Sequence, residues 1–309
     1  MINSYLLFFL GVAFATAGGE LFVRGTVGLA RWARVSPALV AVTIAAFATS
    51  SPELAVSLTA ALSGAPQIAL GDALGSNVVN IALVLGLVLV ISETRAPRGS
   101  IDRDFLVALG VPALIGLLAY DGVLSAADGV LLLGGFVAWL LFVLVEGLRQ
   151  RDGAQERSGA HRPWLVVLAT GAGLVLLVAA GRLIVGGATA IAVAFGMDQF
   201  VIGATVVALG TSAPEIATAV IAKLRGHDEV GLGTLLGSNI FNGLLIVAVA
   251  SIISPIPVVL SDLATALMLG FLATAVIYPA RSGLIGRGRG ALLLGFYAAY
   301  LALMLRPAP

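Results

Sequence analysis

Apart from one stretch, RQRDGAQERSGAHRP at 149–163, this chain is never hydrophilic for long. Apolar runs of about 20 residues follow one another, broken by short clusters of Gly, Pro and charge. A helical run of that length matches the ~30 Å hydrocarbon core of a bilayer. Hydrophobic residues make up 60% of the 309 and charged residues 11%, against about 45–50% and 25% in soluble domains. Too few charges remain to cover a surface facing water, so the fold class is an all-α polytopic membrane protein. Spans are predicted at 3–30, 38–63, 68–91, 104–120, 126–148, 164–195, 200–223, 230–253, 258–280 and 290–306. That gives ten transmembrane helices, five in 1–148 and five in 164–309, with 149–163 as the linker.

Residues 1–17 lack the basic start of a signal peptide and are read as part of the first span. Basic residues favour the cytoplasmic side. With the N-terminus outside, 14 of the 17 Lys and Arg fall in inner connections, and the outer connections at 64–68, 121–125, 196–199 and 254–257 hold none. Both termini are therefore expected outside a cell (inner) membrane and the linker in the cytoplasm. The net charge of +1 gives nucleic-acid binding no electrostatic basis. The chain has no cysteine, which excludes thiolate metal sites and cysteine catalysis, and His161 and His227 both lie in charged connections.

A shift of 162 residues superposes ATSSPELAVSLTAALSG (48–64) on GTSAPEIATAVIAKLRG (210–226), and GDALGSNVVN (71–80) on GTLLGSNIFN (233–242). The coinciding positions include the rare polar ones: Thr49 with Thr211, Ser50 with Ser212, Glu53 with Glu215, Ser76 with Ser238, Asn77 with Asn239 and Asn80 with Asn242. Five spans separate the copies. Five is odd, so the copies should run through the membrane in opposite directions. Secondary transporters are built on this inverted-repeat plan, with the binding site near the midplane between repeats.

Glu53 and Glu215 each fall about halfway along a span, where a carboxylate costs several kcal/mol unless paired, protonated or bound to a cation. Pro52 and Pro214 remove a helical hydrogen bond beside them, freeing carbonyls next to the hydroxyls of Thr49, Ser50, Thr211 and Ser212. Ser76 and Asn80, and likewise Ser238 and Asn242, stand at i and i+4 and share a helical face. Hard oxygens with two carboxylates suit Ca²⁺, which takes roughly six to eight oxygen ligands, and Na⁺ shares that preference. Two charges are neutralised by one Ca²⁺ or two Na⁺, so the ions compete, as exchange requires.

At these residues the sequence resembles the cation/calcium exchanger superfamily, and within it the prokaryotic sodium/calcium antiporters. That family's paired motifs, G-T-S-x-P-E and G-N-x-x-G-S-N, read ATSSPE and GDALGSN in the first half here, GTSAPE and GTLLGSN in the second. The resemblance implies two inverted five-helix sets and exchange of about three Na⁺ for one Ca²⁺, helices 1 and 6 sliding past the core. It also implies Glu53 and Glu215 as calcium carboxylates and Thr49 and Thr211 as carbonyl donors. Ser50, Ser76, Ser212 and Ser238 would line sodium sites with the carbonyls of Ala46 and Ala208, and Asn80 and Asn242 would complete the centre. No cofactor beyond the transported ions is implied, and a monomer is expected.

The chain departs from that pattern in places. Asn242 stands where some relatives, including potassium-dependent ones, carry Asp, which implies potassium independence. Ala48 replaces a Gly, and Asp72 and Thr234 replace the usual Asn. Asp72 is read as a helix-capping residue in preference to a cation-attracting one, and Glu20 and Arg182 as interfacial or packing residues. The nearest rival function is proton/calcium (or other divalent cation) exchange, against which Asn80 and Asn242 argue. An intramembrane serine hydrolase would need a base beside Ser50 or Ser212, and no His or Lys is placed to serve. A channel suits the inverted plan less well than alternating access does.

Overall fold

The computed structural model describes residues 2–96, 98–151, 163–194, 199–279 and 282–305. Most of the linker, residues 196–198 of the connection expected outside and the side chain of Arg182 therefore lie outside the described residues.

Twelve helices carry the chain among these residues. In the first half they are α1 (Ile2–Ala33), α2 (Pro37–Thr49), α3 (Ser51–Leu62), α4 (Pro66–Ile91), α5 (Arg98–Leu118) and α6 (Ala126–Arg151). In the second half they are α7 (Pro163–Ala194), α8 (Phe200–Thr211), α9 (Ala213–Leu224), α10 (Asp228–Ile253), α11 (Leu260–Val276) and α12 (Arg287–Met304). By length and composition α4, α10 and the cores of α5 and α6 can each cross a membrane, and counting two bent pairs as one span apiece raises the number to six.

The expected spans 38–63 and 200–223 are not continuous helices. Each breaks at a serine: Ser50 has φ −82°, ψ 8° and Ser212 has φ −74°, ψ 5°. The prolines explain the break. Pro52 and Pro214 sit in the first turn of the following helix, where a missing N–H costs nothing. Between α8 and α9 the axis bends by 44°.

Four stretches of these helices are π-helical: Ala41–Ala45, Val79–Leu85, Gly203–Val207 and Phe241–Ile246. Such widened turns are uncommon and concentrate at functional sites. The first and third begin and end 162 residues apart, as do Ala46–Thr49 and Ala208–Thr211. The repeat of sequence is thus also a repeat of local structure. One carbonyl beside a widened turn is taken up from elsewhere: the buried Tyr300 hydroxyl donates to Ala204 O at 2.8 Å.

α4 and α10 form the centre. Every residue from Ala69 to Val78 and from Val230 to Ile240 is buried, including the polar Asp72, Ser76, Asn77, Thr234, Ser238 and Asn239. Close approach depends on glycine. A Cβ on Gly75 would collide with the backbone of Ala204, and one on Gly237 with the carbonyl of Val42. Residue 204 is the 162-shifted equivalent of residue 42, so the same contact is made twice with the halves exchanged. α5 and α6 are peripheral and present Leu106, Leu117, Leu131 and Phe142 outward, each at least 60% exposed. An apolar belt of that kind belongs against lipid tails.

Short antiparallel strands tie the connections. β1 (Thr94–Arg95) pairs with β4 (Leu284–Ile285), and β2 (Val123–Leu124) with β3 (Ile256–Pro257). α1 packs along α7 through small residues, Gly18 against Gly173 and Gly25 against Thr170.

Candidate cation site

The serine breaks place both glutamates in the first turn of a helix, Glu53 in α3 and Glu215 in α9. The positive end of a helix dipole favours a carboxylate there. Both are fully buried. Each is reached by the hydroxyl of the opposite half's break: Ser50 Oγ donates to Glu215 Oε1 at 3.2 Å, and Ser212 Oγ to Glu53 Oε1 at 3.5 Å. Ser238 Oγ also donates to Glu215 Oε1, at 3.1 Å. The crossing recurs one shell out, with Thr49 Oγ1 3.4 Å from Ser238 Oγ and Thr211 Oγ1 3.4 Å from Ser76 Oγ.

Backbone oxygens join the same cluster. Thr49 Oγ1 lies 3.3 Å from Ala46 O, Thr211 Oγ1 3.3 Å from Ala208 O, and Ser76 Oγ 3.5 Å from Ala208 O. Glu53 Oε2 and Glu215 Oε2 have no hydrogen-bond partner among the described residues. Among the described residues no Lys or Arg pairs with either carboxylate, and no three Asp, Glu, His or Cys converge as in a resident metal centre. The cluster offers a small hard cation hydroxyl and carbonyl oxygens, with two carboxylates for charge.

Ten of the twelve residues singled out from sequence join this hydrogen-bonded cluster; Asn80 and Asn242 border it. Asn80 Nδ2 donates to Asn239 Oδ1 at 3.1 Å, while both polar atoms of Asn242 are buried without a partner. The equivalent bond, Asn242 to Asn77, is not made, and Asn77 Oδ1 is also left over.

The structure corrects the reading of Asp72. The residue before α4 is Ala65, so Asp72 lies past the first turn and caps nothing. It is fully buried, and its Oδ1 accepts a 2.9 Å hydrogen bond from Thr211 Oγ1, inside the polar cluster. An ionisable residue in an apolar span was the signal that could have found it. Asn77 and Asn239 were matched as repeats but given no role. They join the two halves directly, Asn77 Nδ2 to Asn239 O at 3.2 Å and Asn239 Nδ2 to Asn77 O at 3.1 Å. Glu20 is a surface ion-pair residue, 2.5 Å from Arg24 and 2.6 Å from Arg225 at the end of α9.

A sequence profile described as "Sodium/calcium exchanger protein" matches residues 3–145 and 165–306. This chain belongs to the sodium/calcium exchanger family. Its relatives within that family include the inner membrane protein YrbG of Escherichia coli K12, 30% identical over 98% of this chain and 97% of that one. The sodium/calcium exchanger MaX1 of Methanosarcina acetivorans is 26% identical over 97% of this chain and 98% of its own length. Among solved structures, the sodium-calcium exchanger NCX_Mj soaked with Na⁺ and Sr²⁺ superposes with a TM-score of 0.83 at 31% identity, covering 99% of both chains. As a sodium/calcium exchanger family member the chain is a multi-pass membrane antiporter for cations, and the cluster just described lies at the centre of its fold.

Proposed function

We propose that the protein exchanges Na⁺ for Ca²⁺ by alternating access, with Glu53 and Glu215 forming one shared cation site near the midplane. The observation that carries this is the crossed pair of contacts, Ser50 to Glu215 and Ser212 to Glu53, around two buried carboxylate oxygens, Glu53 Oε2 and Glu215 Oε2, that find no hydrogen-bond partner among the described residues. An uncompensated buried ion costs several kcal/mol, and a cargo cation removes that cost. The twelve residues Glu53, Glu215, Thr49, Thr211, Ser50, Ser212, Ser76, Ser238, Asn80, Asn242, Ala46 and Ala208 line the site. Competition of both ions for the two glutamates makes the exchange obligatory.

The architecture proposed is ten spans in two inverted sets, 1–148 and 164–309, around a cytoplasmic linker at 149–163, with both termini outside and the protein a monomer. Contacts made twice with the halves exchanged are the pattern of a two-fold axis, and they support the inversion. Sidedness has its own support. The paired strands β1 and β4 lie in connections that the basic residues assign to the cytoplasm, and β2 and β3 in connections without basic residues. The small-residue contact of α1 with α7 suits helices that slide as a unit against the core.

The test is ⁴⁵Ca²⁺ uptake into reconstituted vesicles. An outward Na⁺ gradient should drive uptake, and an outward H⁺ gradient alone should drive little. Uptake on the H⁺ gradient without Na⁺ would instead assign the protein to proton/calcium exchange.

A further inference from the structure

Asp72 has no carboxylate counterpart. The 162-residue shift places Thr234 opposite it, and the Thr234 hydroxyl is buried without a partner. Asp72, Ser76 and Asn80 follow at i, i+4 and i+8 along one face of α4, so Asp72 stands one turn, about 5.4 Å along the axis, beyond Ser76. The reach of Thr211 closes the group: its Oγ1 donates to Asp72 Oδ1 at 2.9 Å and lies 3.4 Å from Ser76 Oγ and 3.3 Å from Ala208 O.

We propose that Asp72 is a third cation-ligating carboxylate, which with Ser76, Thr211 and the Ala208 carbonyl forms a Na⁺ seat on the outer side of the glutamate pair. The inference rests on the exchange reading above. Asp72 is fully buried, its Oδ2 has no partner, and among the described residues no Lys or Arg pairs with it. The hydroxyls that reach it, of Thr211 and Ser57, are neutral and do not balance the charge of a carboxylate at that depth. One charge with neutral oxygens around it balances a monovalent ion, whereas Ca²⁺ favours more carboxylate. The mirror group of Thr49, Ser238 and the Ala46 carbonyl has the same hydroxyls and carbonyl but Thr234 where the charge would be. The two Na⁺ seats are therefore unequal. Three carboxylates, Glu53, Glu215 and Asp72, are neutralised by three Na⁺, while one Ca²⁺ leaves the site one charge negative.

The experiment is displacement of ⁴⁵Ca²⁺ from the purified full chain by NaCl, with choline chloride holding ionic strength. Asp72→Asn keeps the acceptor for Thr211 and removes the charge. It should raise the half-displacing Na⁺ concentration about tenfold or more and lower the Hill slope by about one, with Ca²⁺ still bound in Na⁺-free buffer. Asp72→Glu keeps the charge and should retain the slope. An Asn variant whose curve superposes on the native one overturns the proposal, as does a Glu variant that loses the slope as fully as Asn. Asp72→Ser repeats the neutral arm if the Asn form does not purify. Failure of the exchange reading is separate, because it appears as Ca²⁺ exchange surviving in Glu53→Gln or Glu215→Gln.

Discussion

Asn77 and Asn239 exchange hydrogen bonds, each side-chain amide donating to the other's main-chain carbonyl at 3.2 and 3.1 Å. They are 162 residues apart and occupy the same place in the two copies of the motif. Both are buried, so each amide satisfies a carbonyl that water does not reach. Asn77→Ala or Asn239→Ala should each lower stability by about 1–3 kcal/mol. Alanine keeps the main-chain carbonyl to which the other amide donates, so the two bonds are lost independently and the double variant should lose about the sum. Thermal unfolding of detergent-solubilised protein measures both, and a double variant that loses clearly less than the sum would show the two bonds to be coupled.

Glu53→Gln and Glu215→Gln keep the shape of the side chain and remove its charge. Either should abolish Ca²⁺ transport and weaken Na⁺ binding while the sample stays monodisperse. Without cations each variant should melt at or above the wild-type temperature, since an unpaired buried charge has been neutralised. Each should also lose the added stability that saturating Ca²⁺ confers by binding only the folded form. A wild-type exchange rate in either variant would make that glutamate structural.

Asn242 is buried with neither polar atom partnered among the described residues, and the family resemblance implies that an Asn here goes with potassium independence. Removing K⁺ from both sides of the vesicles should leave exchange unchanged. Asn242→Asp adds a buried charge with no partner, so it should change ion coupling and, by the same reasoning as for the glutamates, lower the melting temperature when no cation is bound. Uptake that collapses without K⁺ in the native protein contradicts this.

Gly75→Ala and Gly237→Ala test the close approach of α4 to α8 and of α10 to α2. The obstacle in each case is backbone, which cannot swing aside. A loss of at least about 1–3 kcal/mol is expected. Gly110→Ala on α5 meets nothing within 4 Å and should be neutral or slightly stabilising. Equal effects at all three positions would remove packing as the explanation.

The sequence by itself determined that the chain is helical and membrane-embedded, because length and hydropathy of a run act locally. It also determined which residues matter at the centre, since Glu, Ser, Thr and Asn are costly in an apolar run and stand out when they recur at one interval. Asp72 escaped for the opposite reason: it does not recur, and a carboxylate six residues into a helix looks like a capping group until the helix is seen to be enclosed. The breaks at Ser50 and Ser212 were half visible through Pro52 and Pro214. The π-helical turns were not visible, because widening a turn depends on what packs against it. Only the tertiary structure decided that Ser50 faces Glu215 and not Glu53, that Thr211 reaches Asp72, and that Asn242 is left without a partner. Those pairings join residues more than 130 positions apart, and no local pattern encodes them. They follow from the two broken helix pairs meeting each other, and from α4 and α10 approaching the broken pair of the opposite half, closely enough for short side chains to touch.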